Sequence, residues 1–383
     1  MIEKGKGQIF TSLTGMRGIA CICIMCYHYF CLYMDNLGLG VKALPFYPHS
    51  EFFFAYSKNA VELFFMLSGF LIAFHYHGKI AYGSPWEYLK KRYTKLIIPS
   101  AIVNLWALIN AWIMLRAVPG SNVYISSITP LRIVLSVLMV NTGWITSYGQ
   151  TGLPLNSTMW FIDVLLLCYL LYCLICKFAK NHYLYLSACM VMVLIGWGCL
   201  QHSPNLPFLW GINGRGYAPF FLGALICEFQ IKANEKVRKG VSVVWGTMIL
   251  GFLIIRLVIG FENIFGTIGS SSYVRYFEFF AAPGLLLVAL NLHFIAKTLE
   301  WKPFVWLGMM SGALYYVHNN VLEDYYLLNA VLRINLNFSS EFVFLAVLSS
   351  IIPFAVLWQY WGKKGMLRKI LGGTIPPSSD SMK

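Results

Sequence analysis

Residues 13–34 read LTGMRGIACICIMCYHYFCLYM, and this stretch is apolar over a length that can cross a lipid bilayer. It nevertheless contains Arg17 and His28, and ionisable groups within a spanning helix are costly and usually face a bundle interior, a pathway or a reactive site. The two positions are about three helical turns apart, so their side chains lie on nearly the same face, about 16 Å apart along the axis. Two interpretations stay open here: a functional pair, or a buried histidine with an arginine that extends to the lipid headgroups.

The composition assigns the chain to the membrane proteins. Of its 383 residues, 58% are hydrophobic and 11% are charged, whereas a soluble globular domain carries about 25% charged residues. The net charge of +14 comes from short basic runs between apolar segments, which is typical of cytoplasmic loops, so we expect membrane lipids and not nucleic acid as partners. The ten cysteines lack the spacing of a metal site, and no metal is expected. We therefore predict an all-α, polytopic helical bundle.

Apolar segments of spanning length predict about ten transmembrane helices. Their approximate ranges are 13–34, 57–77, 95–115, 158–177, 183–200, 215–231, 241–259, 276–296, 303–322 and 341–361. A further apolar segment, 128–145, is predicted to be re-entrant or interfacial, because this places the later basic loops on the same side as the N-terminus. Both termini are then expected in the cytoplasm. We predict one integral-membrane domain over residues 1–371 and a disordered cytoplasmic tail over 372–383.

This topology places four ionisable side chains from four helices at one level in the outer half of the membrane. They are His28, Glu62, Asp163 and His318. Residues near the ends of spans are often polar, so the shared level also has a purely structural explanation. Two histidines and two carboxylates at one depth nevertheless favour a reactive site, and these four residues are the candidate catalytic groups.

A second set of charges is predicted near the cytoplasmic face. Arg92 and Lys95 are one helical turn apart, and Arg17 is expected at the same depth. One interpretation is ordinary anchoring to lipid headgroups. The other is a clamp for phosphates, because cations at this spacing can engage one polyanion together.

Five segments of the chain follow a known order of motifs. They are LTGMRGIACICIMCYHYF (13–30), NAVELFFMLSGFLI (59–72), EYLKKRYTKLIIP (87–99), MWFIDVLLLCYLL (159–171) and GALYYVHNNV (312–321). These segments are similar to the patterns LRGIAxxxVxxxH, VDxFFxLSGFLI, RxxR(I/L)xP, WSLxxExxFYLL and SYxxYLxH. The chain therefore resembles acyltransferase family 3, the integral-membrane acyltransferases that modify bacterial surface carbohydrates and some other acceptors.

Two positions depart from the family patterns. The RxxR element is Arg92-x-x-Lys95 here, and lysine keeps the charge but not the bidentate fork of arginine. The glutamate of the fourth span is interpreted as Asp163, which is one methylene shorter. The resemblance therefore extends to Lys95 by its charge only and to Asp163 by its carboxylate only, whereas Arg17 and His28 match the family patterns.

The resemblance implies an O-acyltransferase in the bacterial inner membrane. Its donor would be acyl-CoA, with acetyl-CoA the simplest case, acting as a substrate and not as a bound cofactor, and its acceptor a carbohydrate or lipid-linked glycan hydroxyl. Arg17, Arg92 and Lys95 are expected to hold the nucleotide phosphates. His28 is expected to act as general base, since imidazole titrates near neutrality, with Glu62 or Asp163 orienting it.

Other interpretations of the same residues remain. Ser68, in the Ser68-Gly69-Phe70 motif, has the chemistry of a nucleophile, but close helix packing at the small Ser68–Gly69 pair explains it equally well. A proton-coupled transporter or flippase of a glycan intermediate would use His28, Glu62 and His318 as a proton relay. The sequence shows no inverted repeat of the kind that such transporters carry. A non-catalytic scaffold would leave the polar level without a purpose.

Overall fold

The fold is described here from a computed structural model. It describes residues 2–35, 39, 41–47, 50, 57–117, 128–145, 152–204, 206–259 and 276–363. Every regular element in these ranges is helical, and none of them forms a strand. The predicted tail over 372–383 lies outside the described residues.

The first half of the chain contains helices α1 to α6. Their bounds are α1 Ile2–Tyr29, α2 Ala60–Tyr82, α3 Pro85–Ala117, α4 Pro130–Val137, α5 Trp160–Phe178 and α6 His182–His202. A single π-helical segment, Phe30–Asp35, continues α1. Polar caps define where later helices begin: the Asn156 side chain accepts a hydrogen bond from the Thr158 backbone before α5, and Asn181 accepts one from Leu184 at the start of α6.

The second half contains helices α7 to α12. Their bounds are α7 Gly211–Lys232, α8 Glu235–Ile259, α9 Ala282–Asn291, α10 His293–Leu299, α11 Lys302–Leu332 and α12 Glu341–Lys363. A π-helical segment, Phe277–Ala281, precedes α9. The helix over Phe277–Asn291 and its continuation α10 meet at an angle of 97°, so the predicted span over 276–296 is interrupted at Leu292.

Seven helical segments of the described residues are long and apolar enough to cross a membrane, or eight if the bent segment is counted. The seven are Thr11–Tyr33, Ser57–Tyr82, Pro85–Ala117, Ser157–Phe178, His182–His202, Glu235–Ile254 and Glu341–Gly362. Helices α7 and α11 occupy two further predicted spans, but polar residues interrupt their apolar sequence. The predicted polytopic helical bundle is confirmed, with fewer strongly apolar spans than the sequence suggests.

The segment 128–145 contains one short helix, α4, followed by turns. Eight residues make a helix about 12 Å long, less than half of the roughly 30 Å hydrocarbon core. Its Thr129 side chain caps the helix by accepting a hydrogen bond from the Arg132 backbone, 3.1 Å away. The structure therefore agrees with a segment that does not cross the membrane.

Two of the most extensively packed helix pairs in the described structure are α1 with α11 and α2 with α7. Both pairs meet at glycines that lie directly on the backbone of the neighbouring helix. A Cβ atom at Gly308 would be 1.8 Å from the Thr14 carbonyl oxygen, and one at Gly69 would be 1.8 Å from that of Phe220. Small residues allow this approach, which drives helix association in lipid. The α1–α11 contact holds together the two helices that carry His28 and His318.

Candidate active site

His28 and His318 form a hydrogen-bonded pair between α1 and α11. Nδ1 of His28 lies 2.7 Å from Nε2 of His318, and the two rings stack with centroids 4.9 Å apart and planes 17° apart. His28 lies in the last turn of α1 and is partly buried, whereas His318 is fully buried within α11. Two histidines that the sequence separates by most of the chain are thus in direct contact.

The hydrogen-bond network assigns the protons of this pair. Nδ1 of His318 lies 3.0 Å from the Leu314 carbonyl oxygen and 2.8 Å from the Tyr315 carbonyl oxygen. Carbonyl oxygens only accept, so this Nδ1 carries the proton and Nε2 of neutral His318 is an acceptor. Nδ1–H of His28 must then donate to it, which leaves Nε2 of His28 with a free lone pair. The atom that can take up a proton is therefore Nε2 of His28.

Glu62 does not orient His28, because its contact lies elsewhere in the described structure. Its carboxylate is fully buried and forms an ion pair with Arg215 of α7, with Nε of Arg215 2.5 Å from Oε1 of Glu62. The guanidinium also lies over the Trp160 ring, 4.9 Å from its centroid. Arg215 is close enough to His28 to interact with it electrostatically. Glu62 thus shares the neighbourhood of the histidine pair while bonding to a different group.

Glu278 is a second buried carboxylate within electrostatic range of this ion pair, without a direct bond to it. Its side chain is fully buried, and neither of its oxygens has a hydrogen-bond partner among the described residues. It interacts electrostatically with both Glu62 and Arg215. We call Glu62, Arg215 and Glu278 the carboxylate–arginine cluster. One arginine therefore faces two carboxylates in a buried region next to the histidine pair.

Asp163 stabilises a turn in the described structure. Its Oδ2 accepts a hydrogen bond from the Thr142 backbone at 2.8 Å, and its backbone oxygen accepts one from Nε1 of Trp144 at 2.8 Å. The contact with His28 expected from the sequence is replaced by these bonds. When the WSLxxE pattern is aligned at Trp160, its glutamate falls on Leu165. Asp163 therefore lies two positions before the family glutamate and does not correspond to it.

A central cavity of about 470 Å³ lies between α1, α2, α3, α5 and α11. Arg17 and Arg92 both line it. Lys95 is exposed and is not among the described residues of the wall, so the structure separates this predicted donor-binding residue from the other two. The cavity is in the size range of small-molecule sites, about 300–1,000 Å³, and has two arginines in its wall.

Three tyrosines surround the Arg92 guanidinium. Its centre lies 5.1 Å from the Tyr88 ring centroid, 5.2 Å from that of Tyr76 and 5.8 Å from that of Tyr169. Nε of Arg92 also donates to the Tyr88 hydroxyl at 3.0 Å. These cation–π contacts fix the plane of the guanidinium. An arginine held in this way is preorganised for an anion and differs from a flexible headgroup anchor.

A second, smaller cavity of about 70 Å³ lies on the other side of the histidine pair along both helices. Ile24 of α1 lines the central cavity, and Leu32, in the π-helical segment that continues α1, lines the small one. The two residues lie one turn to either side of His28. On α11, Tyr315 lines the central cavity and Glu323 lines the small one. Residues on either side of the histidine pair along the chain therefore line two separate cavities.

The Ser68-Gly69-Phe70 motif packs α2 against its neighbours. The Ser68 hydroxyl donates to the Phe64 carbonyl one turn earlier, 2.8 Å away, while also lining the central cavity. Gly69 lies on the Phe220 backbone and Phe70 is buried. No base lies near the Ser68 hydroxyl among its described hydrogen bonds, which favours the packing interpretation.

Sequence reasoning missed Arg215, Glu278 and the tyrosines around Arg92. Arg215 was placed at the boundary of a predicted span, and Glu278 lies near the start of another. A charged residue inside an apolar segment is the signal that applies to both, as it did at Arg17. Tyr76, Tyr88 and Tyr169 carry no such signal, because aromatic residues are common throughout this chain.

The family model Acyl_transf_3, described as an acyltransferase domain, matches residues 10–358, nearly the whole chain. The chain belongs to acyltransferase family 3. It is accordingly a multi-pass membrane acyltransferase, as its resemblance to that family predicted. No curated protein and no solved structure gives a significant match. The residues of this family 3 acyltransferase are therefore the basis for the identity of its donor and its acceptor.

Proposed function

We propose that this acyltransferase moves an acyl group, acetyl in the simplest case, from acyl-CoA to a hydroxyl of a cell-surface or exported carbohydrate or a lipid-linked glycan. The observation that carries the proposal is the lone pair on Nε2 of His28, a ring that is fixed by its hydrogen bond with His318. Residues one turn to either side of His28, Ile24 and Leu32, line two different cavities, which we propose for the two substrates. The chain resembles a family of enzymes that modify bacterial surface carbohydrates. This resemblance supports the proposed class of acceptor and an inner-membrane location, and the basic loops support cytoplasmic termini.

The donor is proposed to occupy the central cavity. Arg17 and Arg92 line it, and their charges match the phosphates of a coenzyme A nucleotide. The axial distance from Arg17 to His28, about 16 Å for a helix, is comparable to an extended phosphopantetheine arm. The thioester would then reach the level of the histidine pair while the nucleotide stays near the cytoplasmic face.

The reaction follows from the assigned protons. Nε2 of His28 takes the proton from the acceptor hydroxyl as the hydroxyl oxygen attacks the thioester carbonyl carbon. The His28 imidazolium is stabilised because its Nδ1–H donates to Nε2 of His318, the role that a carboxylate has in a catalytic triad. The C–S bond then breaks, and the proton on Nε2 of His28 passes to the departing sulfur. The products are an O-acyl ester and free coenzyme A.

Labelled acetyl-CoA tests this proposal against the transporter alternative. Membrane vesicles from producing cells should transfer label to an acceptor in an alkali-labile ester linkage, and vesicles from cells lacking the gene should not. Mass spectrometry of the surface glycans from the same two strains should show an acyl mass that is lost with the gene. Turnover of the thioester without any change in the glycans would indicate an acceptor other than a surface carbohydrate. The absence of thioester turnover under every condition would favour a transporter or flippase.

A further inference from the structure

The small cavity has polar side chains in its wall that the proposed reaction does not use. Asn110 of α3 and Glu323 of α11 both line it, together with Leu32. Glu323 follows His318 by five residues, about 7.5 Å along the helix axis, and Leu32 follows His28 by four. The cavity wall therefore includes residues just beyond each histidine, in the direction of the predicted outer face.

The Glu323 carboxylate has one oxygen that is held by the protein and one that is not. Nδ2 of Asn319 donates a hydrogen bond to Oε1 of Glu323 at 2.7 Å. Oε2 has no hydrogen-bond partner among the described residues, and it is not enclosed by them in the way that both Glu278 oxygens are. Carboxylate oxygens accept strong hydrogen bonds from hydroxyl groups. Oε2 of Glu323 is therefore an acceptor that is available to a group in the cavity.

Asn110 supplies a second acceptor oxygen to the same wall. Its Nδ2 donates to Oδ1 of Asp324 at 2.6 Å, and Nε1 of Trp106 donates to the same oxygen at 3.1 Å. An ionised carboxylate only accepts, so this contact assigns the amide nitrogen of Asn110 to the side of Asp324. Oδ1 of Asn110 then has no partner among the described residues, although the side chain is 9% exposed. Two acceptor oxygens without partners thus belong to one cavity.

The size and the remaining wall of the cavity restrict its ligand. A water-sized group needs roughly 10–15 Å³, so a cavity of about 70 Å³ holds a handful of hydroxyl-sized groups, which is the edge of a larger molecule. Arg132 also lines the cavity, but its guanidinium donates to the carbonyl oxygens of Leu153 and Pro154. The rest of the wall is mostly apolar, as in small-molecule sites with a few placed polar groups.

We propose that the small cavity binds the edge of a carbohydrate that carries two neighbouring hydroxyls, and that Oε2 of Glu323 and Oδ1 of Asn110 each accept a hydrogen bond from one of them. This inference rests on the proposed function, because it assigns the acceptor substrate to this cavity. An alcohol with a single hydroxyl satisfies only one of the two oxygens. A site built to bond a hydroxyl discriminates strongly against a ligand that lacks it, so the wall selects a carbohydrate above a simple alcohol.

The test uses proteoliposomes that contain the purified full-length protein, labelled acetyl-CoA, and surface glycan prepared from cells that lack the gene. Glu323→Gln keeps the shape of the side chain, but its oxygen must accept from Asn319, so an amide donor replaces the free acceptor. This variant should raise the KM for the glycan about 10–150-fold and leave the KM for acetyl-CoA unchanged. Asn110→Ala should raise the KM for the glycan about 2–10-fold.

Glu341→Gln is the matched control, because Glu341 is an exposed glutamate at the start of α12 and is not among the described residues of the cavity wall. It should leave both KM values unchanged. Thermal unfolding in detergent identifies the variants that fold. Glu323 and Asn110 lie on different helices, so either variant tests the site if the other fails to fold.

The outcomes separate this inference from the function on which it rests. The absence of any thioester turnover by the wild-type protein would reject the proposed function itself. Turnover without labelling of the glycan would reject the carbohydrate ligand. Labelling of the glycan with an unchanged glycan KM in the folded variants would reject this site alone. An equal rise in the KM for acetyl-CoA, or an equal effect of Glu341→Gln, would also reject it by assigning the two side chains a structural role.

Discussion

Replacing His318 tests whether its ring assigns the proton of His28. His318→Leu removes the acceptor that Nδ1–H of His28 contacts at 2.7 Å. A hydrogen bond to a charged group contributes about 1.5–3 kcal/mol, and 1.36 kcal/mol is a factor of ten in rate. The loss of this bond to the His28 imidazolium should therefore lower kcat by about 10–150-fold. The KM for acetyl-CoA should change little, because His318 is not among the described residues that line the central cavity.

A conservative variant separates this role from simple packing. His318→Gln keeps a side-chain oxygen that can accept from Nδ1–H of His28, so it should retain more activity than His318→Leu. The assay is the steady-state rate of acetyl transfer, measured with a check of folding by thermal unfolding in detergent. Equal losses in folded His318→Leu and His318→Gln, or a His318→Leu rate within threefold of wild type, would show that His318 does not fix the proton of His28.

Three further predictions concern the donor, the cluster and the topology. Arg92→Gln should raise the KM for acyl-CoA with little change in kcat, because Arg92 lines the cavity. Lys95→Gln should leave KM and kcat nearly unchanged, because Lys95 is not among the described residues that line it. The reverse pattern in steady-state kinetics would overturn this assignment. Arg215→Gln should destabilise the protein by about 3–5 kcal/mol, because it leaves buried carboxylates uncompensated, and adding Glu62→Gln should recover part of this loss in thermal unfolding; a further additive loss would contradict the pairing. A cysteine at Asn181, placed in a background without reactive cysteines, should react with an impermeant maleimide from the cytoplasmic side; labelling from outside would reverse the proposed orientation.

The contact between His28 and His318 agrees with their predicted shared level, whereas the partners that the structure gives to His28 and Glu62 differ from the predicted ones. Hydropathy and the basic loops place His28, Glu62 and His318 at one level, because span order alone fixes depth along the bilayer normal. Contact within that level depends on which helices are neighbours, and a single sequence carries no such information. Thus His28 was assigned an orienting carboxylate, whereas the structure gives it His318 and gives Glu62 to Arg215.

The predicted phosphate clamp of Arg92 and Lys95 is a second case in which the sequence gives spacing but not contacts. Helical spacing correctly puts Arg92 and Lys95 one turn apart, but it does not say which of them faces inward. Arg92 lies in a cage of tyrosines at the cavity wall, while Lys95 is exposed. The break at Leu292 lies between two polar residues, Asn291 and His293, but this pattern alone does not specify a bend of 97°.

The rate of acetyl transfer by His28→Ala, measured with saturating labelled acetyl-CoA, tests directly whether His28 is the general base. If His28 is the base, kcat should fall by about 10²–10⁴-fold, with unchanged membrane insertion and near-normal binding of acetyl-CoA by calorimetry in detergent. A His28→Ala protein whose transfer rate stays within a few-fold of wild type would show that another group is the base.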